Sequence, residues 1–142
     1  MDRPPRHVSV IIEVPRWSFV KRELHDGSLV TDYVSPVPCP FNYGCTPDVP
    51  GADGDPQDVV VLGPRLQALE SVTVPVVGVV RFVDAGRPDD KLVGSFVFPT
   101  AWQRLQLDGF FRIYALARRA INVVRGLTGS TGYGGLEISI RR

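Results

Sequence analysis

Only one stretch of this chain repeats its apolar residues at the period of an α-helix. From Phe110 to Arg125, the residues Phe110, Ile113, Tyr114, Ala117, Ile121 and Val124 fall on one face, and Phe111 stands alone on the opposite, arginine-rich side. Asp108 is placed to cap the start of that helix and Gly126 to follow its end as the C′ residue. Everything else must be built from short runs between turns. Glycine and proline supply 14 and 13 of the 142 residues, about a fifth, against an average share of roughly 12%. Many turns, short strands and a single helix favour a small β-barrel with the helix packed against it.

The strands can be read along the chain. HVSVIIEV (7–14) is rich in β-branched residues and ends at Pro15. WSFVKREL (17–24) is a second strand, with Phe19, Lys21 and Glu23 on one face. HDGS (25–28) is a turn, and Leu29 to Val34 return as the other arm of a hairpin. Residues 35–50 hold five prolines and are expected to form a loop or an edge segment. Val59 to Leu62, Val72 to Val83 (bent at Pro75 or Gly78), Lys91 to Phe98 and Leu136 to Ile140 complete the set. No internal repeat or linker divides the chain, so residues 1–142 are expected to form one domain.

Composition narrows the function classes. A net charge of +1 gives no ground for nucleic-acid binding, and no apolar run is long enough to span a membrane. Met1 to Arg6 is polar with no apolar signal core behind it, so a cytoplasmic location is expected. Cys39 and Cys45, in CPFNYGC, read as two reduced thiols with no second pair to make a zinc site.

The charged residues are used unevenly. Only Lys21 and Lys91 break a run of 14 arginines, as if those two positions need a compact ammonium. Of 11 aspartates, six fall in two clusters, DGDPQD (Asp53, Asp55, Asp58) and DAGRPDDK (Asp84, Asp89, Asp90). Carboxylates crowded this closely repel one another, and a hard divalent cation such as Mg²⁺ removes the penalty. On DGDPQD alone a plain turn is an equally good reading, because Asp, Gly and Pro are ordinary turn formers. Both clusters, however, sit where strands meet loops and could converge at one barrel mouth. More carboxylates than one metal can use, with lysines beside them, suggest several metals and an anionic substrate, as in phosphoryl transfer.

The order and spacing of IIEVP (11–15), VKREL (20–24), FNYG (41–44), DGDPQDVVVL (53–62), VVRFVDAGRPDDKLV (79–93) and FFRIY (110–114) resemble a family I soluble inorganic pyrophosphatase. The resemblance implies a five-stranded OB-like barrel and Mg²⁺-dependent hydrolysis of pyrophosphate, with several Mg²⁺ per subunit and Mn²⁺ as a possible substitute. It implies that Asp53, Asp58 and Asp89 bind a first metal, that Asp58 also reaches a second, that Asp84 and Asp89 hold one arriving with substrate, and that Glu13 holds another through water. Asp55 would be the general base. Lys21, Lys91, Tyr43 and Tyr114 would contact phosphate oxygens, and Glu23 would orient Lys21 or hold water.

The chain departs from that family at several positions. Tyr33 stands in place of an arginine, Cys39 in place of a tyrosine, Ala115 in place of the lysine after the helix tyrosine, and Gln57 in place of an aliphatic residue. The segment between Lys91 and Phe110 is shortened, and the family's C-terminal helix is expected to be missing. Arg118, one turn beyond Tyr114, is the nearest replacement cation for substrate; the plainer reading is a solvated arginine at the edge of the helix. The alternative to pyrophosphate hydrolysis is a repurposed enzyme on the same platform, acting on an organic diphosphate or doing elimination or cyclisation chemistry. A non-catalytic scaffold is the third reading, disfavoured by the cost of clustered acids without metal. The apolar arc of the helix, and the hexamers common among bacterial relatives, imply a homo-oligomer, hexameric or smaller.

Overall fold

A computed structural model of the chain describes residues 6–34, 38–52 and 54–139, with the backbone alone at Tyr33. The strands are β1 (His7–Val14), β2 (Val20–His25), β3 (Ser28–Val34), β4 (Asn42–Pro50), β5 (Pro56–Val61), β6 (Ser71–Asp84), β7 (Arg87–Pro88), β8 (Lys91–Gly94) and β9 (Gly132–Ile138), with a helix α1 (Ala101–Val124) before the last. β1 pairs antiparallel with both β4 and β6, β4 with β5, and β6 with β8, while β5 and β8 run parallel. These pairings close five strands into a barrel. β9 adds to β6 outside the ring, and β2 and β3 form a separate two-stranded sheet. The fold is mainly β with one packed helix, as expected. No helix among the described residues is long and apolar enough to cross a membrane.

The turn chemistry fits the sequence. Asp26 and Gly27 take φ of 50° and 79° between β2 and β3, the two-residue turn whose twist suits a hairpin. The long strand β6 breaks register between Val76 and Gly78, close to the anticipated bend.

Three expectations need correction. Residues 42–50 are not a loop but β4, a strand paired on both sides. Its central residues Tyr43, Gly44 and Cys45 pair with both β1 and β5, and Pro47 and Pro50 lie beyond the last residue paired with β1, where a missing N–H costs nothing on that side. Gly44 permits the contact with β1, since a Cβ there would lie 2.2 Å from the carbonyl oxygen of Ile11. The strand expected over 91–98 stops at Gly94, and Phe96, Val97 and Phe98 are exposed. The last strand begins at Gly132 rather than Leu136, and Ile140 lies outside the described residues.

The helix differs most. It starts at Ala101, capped by Thr100 and Gln103 in a reciprocal capping box, and Asp108 lies inside it, accepting from Tyr133 at 2.7 Å. Its C-terminus matches the sequence reading: Gly126 sits at φ 71°, Leu127 N–H donates to Asn122 O and Gly126 N–H to Val123 O. The buried face is not the one expected. Leu107, Phe111, Tyr114, Ala115 and Asn122 face inward, while Ile113 and Val124 are exposed. Phe111, expected alone on the outer side, is fully buried and stacks on Phe41 at 5.8 Å.

Two clusters of buried side chains make the core. One consists of strand residues, including Val10, Ile12, Val59, Val61, Val74 and Leu92. The other takes alternate residues of the same strands, Val60, Val80, Phe82 and Val93, and covers them with Leu107, Phe111, Tyr114 and Ala115 of α1. This double use explains why β5 reads as an unbroken apolar run.

Candidate active site

The candidate site continues the helix-covered core toward its polar end. Because strand side chains alternate, Asp58 shares the side of Val60, Lys91 that of Val93 and Asp84 that of Phe82. Tyr43 and Tyr114 are already members of that core. Lys91 is at the centre. It is 1% exposed, and its Nζ lies 2.9 Å from Asp58 Oδ2 and 2.7 Å from Asp89 Oδ2. The Tyr43 hydroxyl donates to the same Asp58 oxygen at 3.0 Å, and Lys21 Nζ stands 4.1 Å above the Tyr43 ring. The sequence DDK separates its acids by the same rule: Asp89 turns inward to Lys91, whereas Asp90 turns away, accepting from Arg81 at 2.8 Å and from the Phe82 N–H.

The charges in this cluster are strongly coupled. Burial alone would raise the Asp58 carboxyl, but Lys91 and Lys21 outweigh it and hold Asp58 below its ordinary range. Burial raises Asp89, and Lys91 offsets only part of that effect. Burial would also lower Lys91, but its two carboxylates more than compensate, so it stays an ammonium. Glu13 is raised by burial despite Lys21, and its Oε2 accepts the Leu24 N–H at 2.6 Å, tying β1 to the hairpin. Tyr43 and Tyr114 are both pushed well above 10 by burial, so they act as hydroxyl donors. The buried thiols of Cys39 and Cys45 are each pushed up to about 12, also by burial, and are unreactive.

The remaining sequence-derived residues sit around this centre. Asp55 is exposed on the turn before β5, and Asp53 lies outside the described residues. Glu23 stands on β2 beside His25, 3.4 Å away. Gln57 bonds the carbonyls of Asp58 and Asp90, bracing β5 against the start of β8. Arg118 does not face solvent. Its terminal nitrogens bond Asp84 Oδ2 at 2.9 Å and Asp32 Oδ2 at 3.4 Å, and its side chain is 11% exposed. Asn122 Nδ2 donates to the other Asp84 oxygen at 2.7 Å. Sequence reasoning missed Asp32 and Asn122. Asn122 is one turn beyond Arg118, so a correctly placed helix face would have found it. A shallow cleft opens beside the centre, lined by Lys21, Tyr43 and Tyr114 with Val14, Val20, Cys39 and Phe110.

The donor set can be tested against a divalent metal. Asp58 and Asp89 each give Lys91 one oxygen, and Oδ1 of each has no protein hydrogen bond among the described residues. They are hard oxygen donors of the type Mg²⁺ takes, so this pair fits. Among the described residues, no group of three His, Cys, Asp or Glu is close enough to hold a metal ion. Asp84 fits less well, since both of its oxygens already accept from α1.

Comparison with known proteins agrees with this architecture. Residues 10–124 match the family model for inorganic pyrophosphatase. Soluble inorganic pyrophosphatase 2 of Chlamydomonas reinhardtii is 39% identical over 100 residues, 63% of this chain and 49% of that protein. The Aeropyrum pernix inorganic pyrophosphatase is 35% identical over 119 residues, 80% of this chain and 63% of its own. The chain therefore spans about half the length of several of the curated relatives it matches. Among solved structures, the Helicobacter pylori enzyme superposes with a TM-score of 0.76 at 26% identity, covering 94% of this chain and 85% of that one. The Thermus thermophilus structure gives 0.75 at 26%, covering 97% and 86%. A family match running from β1 through the whole of α1, on a barrel of the same form, means that the chain belongs to the inorganic pyrophosphatase family.

Proposed function

We propose that this chain hydrolyses inorganic pyrophosphate to two phosphates with Mg²⁺. The observation that carries the proposal is the buried Lys91 ammonium between Asp58 and Asp89, capped by Tyr43 and fronted by Lys21. In this reading Asp58 and Asp89, with Asp53, hold Mg²⁺ or Mn²⁺, and Glu13 reaches a further ion through water. When bound, such ions lower the pKa of water and offset phosphate charge. Asp55 accepts the proton of the attacking water as its oxygen bonds to phosphorus, and the bridging P–O bond breaks with its electron pair leaving on the second phosphate. Lys21 and the Tyr114 hydroxyl, both lining the cleft, hold phosphoryl oxygens. The buried Lys91 holds the Asp58 and Asp89 carboxylates in place behind them, Tyr43 donates to Asp58, and Glu23 orients Lys21. The full set of residues acts as one domain, in a cytoplasmic homo-oligomer; inert, buried thiols suit a reducing compartment.

The test is phosphate release from pyrophosphate with Mg²⁺, run beside a small panel of organic diphosphates. Release from pyrophosphate that falls at least 100-fold in Asp55→Asn supports the reading. Turnover of an organic diphosphate alone, or of nothing, overturns it.

A further inference from the structure

We propose that the Arg118 guanidinium is the resident cation of Asp84, occupying the place a divalent ion would take on that carboxylate. The proposal rests on the metal-binding reading of Asp58 and Asp89. The two halves of the acid cluster differ in one respect. Lys91 takes a single oxygen from each of Asp58 and Asp89, leaving each Oδ1 without a protein partner among the described residues. Asp84 gives Oδ2 to Arg118 and Oδ1 to Asn122, so α1 engages both sides of the carboxylate.

The guanidinium is also held from behind. Its other terminal nitrogen reaches Asp32 on β3, and Asp32 in turn accepts from Arg125 at 3.1 Å. Two carboxylates and two guanidinium groups thus alternate between β6, α1 with its C-cap residue Arg125, and the hairpin. Unlike lysine, arginine cannot shed its proton to make room for another cation. A divalent ion on Asp84 would have to share the carboxylate with a fixed like charge that is nearly buried. The network is not tuned for hydrogen bonding alone, because Arg118 Nε and Asn122 Oδ1 are buried without hydrogen-bond partners among the described residues. What it achieves is charge balance at Asp84 without metal.

The test counts Mn²⁺ bound per chain by electron paramagnetic resonance, in the full-length protein. Asp84→Asn in the wild-type background is expected to leave the number of bound ions unchanged and the affinity within twofold. Arg118→Met, which empties the position and leaves Asp84 and Asp32 unbalanced, is expected to bind one ion more. Arg118→Met combined with Asp84→Asn should lose that extra ion. A tenfold weaker affinity or one fewer ion in Asp84→Asn overturns the proposal, as does an unchanged count in folded Arg118→Met. Should Arg118→Met fail to fold, Asp84→Asn decides alone. Asp58→Asn separates the two readings: if it too leaves Mn²⁺ binding intact, the metal site at Asp58 and Asp89 fails, and this proposal falls with it.

Discussion

Replacing Lys91 by methionine removes the ammonium while keeping most of its length. The wild-type cation is 1% exposed between carboxylates that are 30% and 31% exposed. Breaking a buried pair by removing one partner costs about 3–5 kcal/mol. Partial hydration of the two acids puts this case near the lower limit, about 3 kcal/mol. An unfolding entropy of about 2.1 cal/mol/K per residue over 142 residues converts that to a fall in Tm of about 10 °C. The loss should depend on pH, and its sign is fixed. Without Lys91, Asp58 and Asp89 face each other and their pKa values rise above the unfolded ones, so the variant is stabilised as pH falls through them. Wild-type Asp58 is held low and contributes stability that is lost only as acid protonates it. The gap between the two proteins should therefore narrow from pH 7 to pH 5. Urea unfolding in EDTA, which keeps a divalent ion from substituting for the ammonium, measures it. A loss under about 1 kcal/mol at pH 7, or one that does not change with pH, would refute the reasoning.

The helix face predicts a contrast: Phe111→Ala should cost about 3–5 kcal/mol, while Ile113→Ala, at a residue 42% exposed, should cost under about 1 kcal/mol by the same chemical denaturation. Gly44→Ala places a Cβ on the Ile11 carbonyl and should lose about 3 kcal/mol, with broadening of β1 and β4 amide signals in NMR spectra. The exposed Phe96, Val97, Phe98, Trp102 and Leu105 leave large apolar side chains unburied between β8 and the first turns of α1. Light scattering at micromolar concentration should return a mass that is a multiple of 15.6 kDa, and a monomer would refute assembly.

What could be read from sequence was governed by local pattern. Alternation and turn residues located β1, the β2–β3 hairpin and β6, because each depends on neighbours in the chain. The strand β4 was hidden by its prolines, whose tolerance depends on which strand ends where. The helix face was misread for a more informative reason. Its inward stripe runs Leu107, Phe111, Tyr114, Arg118, Asn122, and the last two are polar because they meet Asp84. A pattern search that equates buried with apolar fails where a helix faces a site. The acid clusters were legible as clusters. That Asp89 and Asp90 point apart, and that Asp32 belongs to the network, depends on pairings 9 to 86 residues away in the chain.

The separate sheet of β2 and β3 has a consequence for motion. Lys21 is carried by this hairpin and not by the barrel, and the hairpin's described polar attachments to the rest are few: the Glu13 bond to Leu24 N–H, the Lys21 ammonium over the Tyr43 ring, and the Asp32 pairs with Arg118 and Arg125. Such a unit can detach in a single step while the ring of five strands stays intact. Hydrogen exchange should then show the amides of 20–34 opening together, at a lower free energy than those of β1, β5 and β6. The same opening would withdraw Lys21 from the cleft it lines, so the rate at which the cleft exchanges its contents would be set by hairpin docking.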